Sequence, residues 1–302
     1  MGKGRWIFFV LIITAGAGLA ALFYLHKPQP KLDSTLAPAY MLLGHATRGI
    51  SRALTEIIAV DSLDEKEYGE AIKARCDDHN DSGDKDYVYV NAVMSQISRF
   101  ARKPFPYRVY MHESSSPNAF ALPGGVIFVT RGLIKTLKSE AELAAILSHE
   151  MGHIELSHCL DVVRFQLLAG KTGNETLGKV ADFAMNLLLR HSFSKTQEND
   201  ADNYAFELLI NSKYDPGAEG RAFARFLQYM KQNGMRDERE ANIIRDYFMS
   251  HPPMVLREEK FSEKAGIWWR KHDKEIRYVG TKNLKKRTIE AIDSEYIGPP
   301  RL

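Results

Sequence analysis

Apolar and polar positions recur along this chain at different periods, and each period predicts a different kind of element. From Trp6 to Leu25 no side chain is charged. As a helix that run would cover about 30 Å, the thickness of a bilayer's hydrocarbon core, whereas the apolar part of a cleavable signal spans only about 7–15 residues. The pattern predicts an uncleaved membrane anchor over residues 1–26. Lys3 and Arg5 on one flank face Lys27 and Lys31 on the other, a small bias for an inside N-terminus that leaves the rest of the chain outside the cytosol. Residues 27–36, with Pro28-Gln29-Pro30, read as an extended linker.

Beyond the linker a helical period returns over 37–60 and 64–75, a lead-in followed by the polar, turn-rich stretch 77–84. A helix over 87–102 ends before Pro104, as the residue before a proline disfavours the helical region. Three short β-prone runs follow, Tyr107–Met111, Ala119–Leu122 and Val126–Val129, separated by Ser-Pro-Asn and Pro-Gly-Gly, and they predict a small sheet. Ser139 with Glu142 predicts a capping box opening a long helix, along which Leu143, Ile146, Leu147 and Met151 form one apolar stripe. Amphipathic helices are expected at 177–188, 197–211, 217–232 and 238–249. The fold class is α+β, a predominantly helical domain with a small β-sheet next to the long helix. We take 37–260 as that domain with its helical lead-in, and 261–302 as a basic C-terminal extension.

Charge narrows the chemistry. In 302 residues, 41 Lys and Arg stand against 38 Asp and Glu, a formal charge of +3, so nothing global points to a nucleic-acid partner. The two cysteines, Cys76 and Cys159, exclude a disulfide framework and a four-thiolate zinc site. Any metal must therefore be held by histidine and carboxylate. Between 264 and 287 nine Lys and Arg face only Asp273 and Glu275; a solvated face with Trp268 and Trp269 packed on the core is the expected reading.

The sharpest signal is His149-Glu150-Met151-Gly152-His153. Four residues turn a helix through about 400°, so both imidazoles lie on one face a turn apart. Glu150 adjoins them, where its carboxylate can take a proton from a water at the metal without being a ligand. A catalytic site of this kind needs a third ligand, and Glu198 in Glu198-Asn199-Asp200-Ala201-Asp202 is the best candidate. Asp202, four residues on, faces the same way and can accept the second N–H of an imidazole. His158 would lie about 140° round an unbroken helix from His153, a packing or surface position. Cys159 reads as an inert buried thiol.

Four blocks together resemble the HtpX and CAAX-prenyl-protease-like zinc metallopeptidases, which include the Oma-type membrane proteases. They are Asn118–Gly125 with Ile127-Phe128-Val129 and Gly132-Leu133, then Ser139–His153, then Glu198–Asp202 with Tyr214-Asp215-Pro216, and finally His251-Pro252-Pro253. The resemblance runs from about Tyr87 to Lys260. It implies a zincin-type (gluzincin) domain and one Zn2+ per chain on His149, His153 and Glu198. It also implies Glu150 as general base and hydrolysis of peptide bonds in unfolded or membrane-associated proteins. The hairpin block suggests Asn118, Ala119, Phe120 and Ala121 as an edge strand that pairs with extended substrate. His251 is expected to stabilise the oxyanion or to gate the metal. Partners are thus protein or peptide substrates, and a membrane through residues 6–25, with no nucleic acid. The single anchor departs from many-span relatives and favours envelope quality control, at a bacterial inner membrane facing the periplasm or at a mitochondrial inner membrane. Two alternatives stand beside this reading: a non-cleaving chaperone or assembly factor using the same groove, and a latent protease gated by His251 or a lid over 177–188.

Overall fold

In the computed structural model of this protein, residues 62–76, 83–163, 193–233, 254–289 and 295–299 are described. All fall within the unit Val60–Leu302; the other unit, Met1–Ala59, has no described residue. The expected anchor, linker and first lead-in helix therefore lie outside the described residues, as do the helices expected at 177–188 and 238–249 and the His251-Pro252-Pro253 element.

Among the described residues, two helices precede the sheet. These are α1 (Ser62–Cys76) and α2 (Lys85–Ile97), the second opened by Asp84, whose carboxylate accepts the Asp86 N–H, and closed by a 3-10 turn at Ser98–Phe100. Strands β1 (Arg108–His112), β2 (Ala119–Leu122) and β3 (Val126–Thr130) form a mixed sheet of order β1-β3-β2. β1 runs parallel to β3 with Arg108 opposite Val126, and β2 runs antiparallel with Phe120 opposite Phe128. β2 is thereby an edge of this sheet.

The turn between β2 and β3 needs glycine at both positions. Gly124 and Gly125 have φ of +76° and +87°, in the region that costs a side chain about 1–2 kcal/mol. Gly124 also lies against α1, where an added Cβ would stand 2.4 Å from the Gly69 Cα. Gly124→Ala is therefore expected to combine backbone strain with overpacking and lower stability by roughly 2–4 kcal/mol. Urea unfolding measures it; a loss under about 1 kcal/mol would mean that α1 does not rest on this turn.

After α3 (Arg131–Thr136) comes α4 (Glu140–Glu155), in which every residue from Glu140 to Ile154 is buried. A helix buried on all sides must have its first N–H groups satisfied inside the protein. Glu140 N–H donates to the Gly280 carbonyl and Ala141 N–H to that of Val279. The Glu140 carboxylate accepts from the hydroxyls of Tyr89 and Tyr214, tying the helix start to its surroundings. The expected capping box forms by half: Ser139 Oγ accepts the Glu142 N–H, but Glu142 accepts from Lys138 N–H, one residue earlier than the reciprocal bond requires.

Of the longer helices that follow among the described residues, the first two pack on α4 and the third packs on the second. They are α5 (Lys195–Asn211), α6 (Ala218–Gln232) and α7 (Met254–Lys271), followed by a two-stranded ribbon of β4 (Arg277–Tyr278) and β5 (Tyr296–Ile297) with α8 (Thr281–Lys286) between its strands. A complete capping box, Ser194 with Gln197, starts α5 two residues before the sequence pattern does. α7 runs through position 260 without a break, burying Phe261, Ala265 and Trp269, with the Trp269 indole donating to Asp215. The α+β class, mostly helical with a small sheet against the long helix, is borne out. Among the described residues no helix is long and apolar enough to cross a membrane.

Candidate metal centre

His149 and His153 lie one turn apart on α4, and their Nε2 atoms are 3.1 Å from each other. Glu198, in the first turn of α5, brings Oε2 to 3.6 Å from His149 Nε2 and Oε1 to 3.4 Å from His153 Nε2. One donor atom from each lies within 4.8 Å of the others, and all three side chains are buried. A tetrahedral ion with bonds of about 2.0–2.1 Å has edges of about 3.3–3.4 Å, and the separations of 3.1, 3.4 and 3.6 Å bracket that length, the last two reaching different oxygens of Glu198. The helices approach this closely because position 152 is glycine: a Cβ there would meet Ala201 Cα and O at 3.1 Å.

The far nitrogens of both rings are engaged as metal ligands require. His149 Nδ1 lies 2.9 Å from Asp202 Oδ1, which brings the carboxylate expected to orient an imidazole against this ring. Arg257 of α7, which the sequence reading missed, donates through Nε and Nη2 to the two oxygens of Asp202 at 2.9 and 2.5 Å. Its Nη1 stands 3.1 Å from Glu198 Oε2, and its guanidinium lies 4.3 Å above the Phe223 ring. Burial pushes the Asp202 carboxyl up, but the Arg257 charge and the His149 N–H outweigh it and hold the group below its ordinary value. Formally Glu150, Glu198 and Asp202 bring three negative charges and Arg257 one positive, a deficit that a divalent cation matches.

On the other ring, His153 Nδ1 lies 3.1 Å from His158 Nδ1, and Phe193 stacks on His153 with ring centroids 3.9 Å apart. This corrects the sequence expectation for His158. The helix does not continue: Ser157 adopts φ +62°, and the reversal turns His158 back toward the ring it was expected to avoid. Burial pushes the His158 imidazole down to about 4, so it is neutral at physiological pH.

The sequence profile of Peptidase family M48 matches residues 85–265, well over half of the chain. The chain belongs to peptidase family M48. It is similar to the mitochondrial metalloendopeptidase OMA1 of Schizosaccharomyces pombe, 28% identical over 138 residues, covering 43% of this chain and 41% of that protein. It is similar to the metalloprotease LoiP of Escherichia coli, 28% identical over 159 residues, covering 47% and 60%. The metalloprotease YcaL of Escherichia coli matches at 24% over 212 residues, covering 66% and 78%. The chain thus spans less than two thirds of the first two relatives. The resemblance read from the four motif blocks is borne out, and the metallopeptidase class is that of the family.

The other sequence candidates divide. Glu150 is fully buried beside His149. β2 packs against α4 as the edge strand of its sheet, with Ala119 and Ala121 buried and Phe120 stacked on Phe128 at 4.9 Å. The Asn118 backbone is tied to Thr130, whose N–H and Oγ1 both reach the Asn118 carbonyl. His251 lies outside the described residues. The Cys159 thiol is fully buried, its pKa is pushed up by burial and then by Glu150, and it donates to the Ala121 carbonyl at 3.5 Å. It is a neutral packing group, as expected.

Behind Arg257 lies a group with no sequence signature. Glu219 of α6 is buried, and neither carboxyl oxygen has a hydrogen-bond partner. Burial and the Asp202 charge push its pKa well above 4.5, against the pull of Arg257, Lys264 and Lys260. The native state therefore keeps a proton that the unfolded chain loses above 4.5, and stability falls as pH rises from there toward the native value. Glu219→Gln is expected to flatten this decline at pH values above the ordinary carboxyl pKa, read as melting temperature against pH. An unchanged slope would mean the carboxyl is not held protonated.

Proposed function

We propose that this chain is a membrane-tethered zinc-dependent endopeptidase that hydrolyses peptide bonds in unfolded or membrane-associated proteins. The observation that carries the reading is the convergence of His149 Nε2, His153 Nε2 and the Glu198 carboxylate within 3.1–3.6 Å of one another, with the far nitrogens of both histidines engaged. His149, His153 and Glu198 would hold one zinc ion. Zinc there supplies Lewis acidity, polarising the scissile carbonyl and acidifying a water. Glu150 takes the proton of the attacking water and returns it to the leaving amine nitrogen, so no covalent enzyme intermediate is needed. Asp202 keeps His149 in the tautomer that presents Nε2.

Substrate binding is assigned to the edge of β2. An extended peptide can add to that edge by main-chain hydrogen bonds, which fixes its direction without demanding a particular side chain. Phe120, half-buried on the strand, would offer an apolar contact suited to unfolded chains. His251 is the proposed partner of the oxyanion. Residues 6–25 are the proposed anchor, with the domain outside the cytosol; a bacterial inner membrane is the favoured setting, and the word mitochondrial in the fission-yeast relative's name supports the second.

Hydrolysis of an unfolded protein with and without chelator tests the reading. Activity should disappear on chelation and return with one equivalent of zinc per chain. Turnover that persists in the metal-stripped protein would overturn it.

A further inference from the structure

We propose that His158 is a positioning residue for His153, and that Ser157 and Lys103 form the device that holds it there. The inference rests on the metal reading above and extends it to a second imidazole outside the ligand set. A His153 ring that presents Nε2 to a cation carries its proton on Nδ1 and needs an acceptor for it. The Nδ1 of His158 can be that acceptor, 3.1 Å away, with both rings buried. His158 must then carry its own proton on Nε2, so one hydrogen bond sets the tautomer of both rings.

On a continuous helix residue 158 could not reach this place. The last turn of α4 is closed by Leu156 N–H to the Gly152 carbonyl and Ser157 N–H to that of Ile154, and Ser157 then takes the left-handed conformation. This backbone strains a serine, whose Cβ crowds the following carbonyl oxygen, and Lys103 offsets that strain. Its ammonium donates to the Ile154 carbonyl at 2.7 Å, to Ser157 Oγ at 2.9 Å and to Glu65 Oε2 at 2.8 Å. All three protons of the lysine are used, two of them on the residues that make the reversal. A new helical stretch begins at once, with Asp161 N–H on the Ser157 carbonyl. The strain thus has a visible result: it converts a position facing away from the ligands into one that touches a ligand's far nitrogen. Phe193 stacks on the His153 face, so that ring is held both in its plane and at its edge.

Cobalt(II), which takes the tetrahedral zinc site and reports its coordination by visible absorption, is the probe. Affinity is measured by competition with a chelator on wild type, His158→Leu and His158→Asn, beside the melting temperature of each metal-free protein. Leucine fills the pocket without an acceptor; asparagine offers Oδ1 where the imidazole has Nδ1. His158→Leu should weaken cobalt binding about 10–100-fold and alter the absorption bands while the metal-free melting temperature is kept; His158→Asn should restore most of the affinity. Unchanged affinity and spectrum in His158→Leu would overturn the proposal. So would equal losses in both variants that follow their melting temperatures, since that is packing alone. If wild type binds no cobalt, the metal reading itself fails, a result distinct from either.

Discussion

Glu150→Gln should leave the fold and the metal content unchanged while lowering kcat by on the order of 10²- to 10⁴-fold, the usual worth of a positioned general base. Glutamine has nearly the same shape and sits at the same buried point of α4, but it cannot take a proton from water. Since the acid–base step is made only in the transition state, KM should stay near its wild-type value. Stoichiometric zinc and an unshifted melting temperature in the variant are the necessary controls. Equal turnover by both proteins would remove Glu150 from the mechanism. Cys159 offers no substitute nucleophile, because burial keeps its thiol protonated.

The second large effect concerns Arg257. Its removal leaves Glu198 and Asp202 buried near one another without their shared cation, and breaking a buried charge pair on one side costs about 3–5 kcal/mol. Arg257→Leu should show that loss in urea unfolding of the metal-free protein. Arg257→Lys should recover less than half, because one ammonium cannot bond both Asp202 oxygens, reach Glu198 and lie over Phe223 together. The pH dependence has a definite sign. Asp202 is held below its ordinary 3.8, so its stabilisation is present above that value and lost as pH falls through the native pKa. The gap between wild type and Arg257→Leu should therefore be widest near neutrality and close in acid. A lysine variant as stable as wild type would reduce Arg257 to a simple counter-charge.

These two residues differ in how visible they are in the chain. Glu150 is flanked by two histidines at helical spacing, and that spacing is itself the evidence. Arg257 is separated from Asp202 by 55 positions and lies in a segment rich in lysine and arginine, where no local feature distinguishes it. Glu219 is obscured in the same way: an acidic residue in a helix reads as solvated until α7 is seen to cover it. The start of α5 is a different case, since Ser194 and Gln197 have the capping-box spacing and so mark it in the sequence itself.

Local periodicity alone determined that His149 and His153 share a helix face, that Glu198 and Asp202 share another, and that the Pro-Gly-Gly punctuation turns β2 into β3. Those relations depend on residues a few positions apart, where helix and strand geometry leaves little freedom. Tertiary structure alone decided which faces meet, bringing Glu198 to the two imidazoles across the Gly152 contact and Arg257 behind them. It also decided where regular geometry stops. The left-handed Ser157 is held by Lys103 from another part of the chain, and so the direction of His158 could not follow from its spacing.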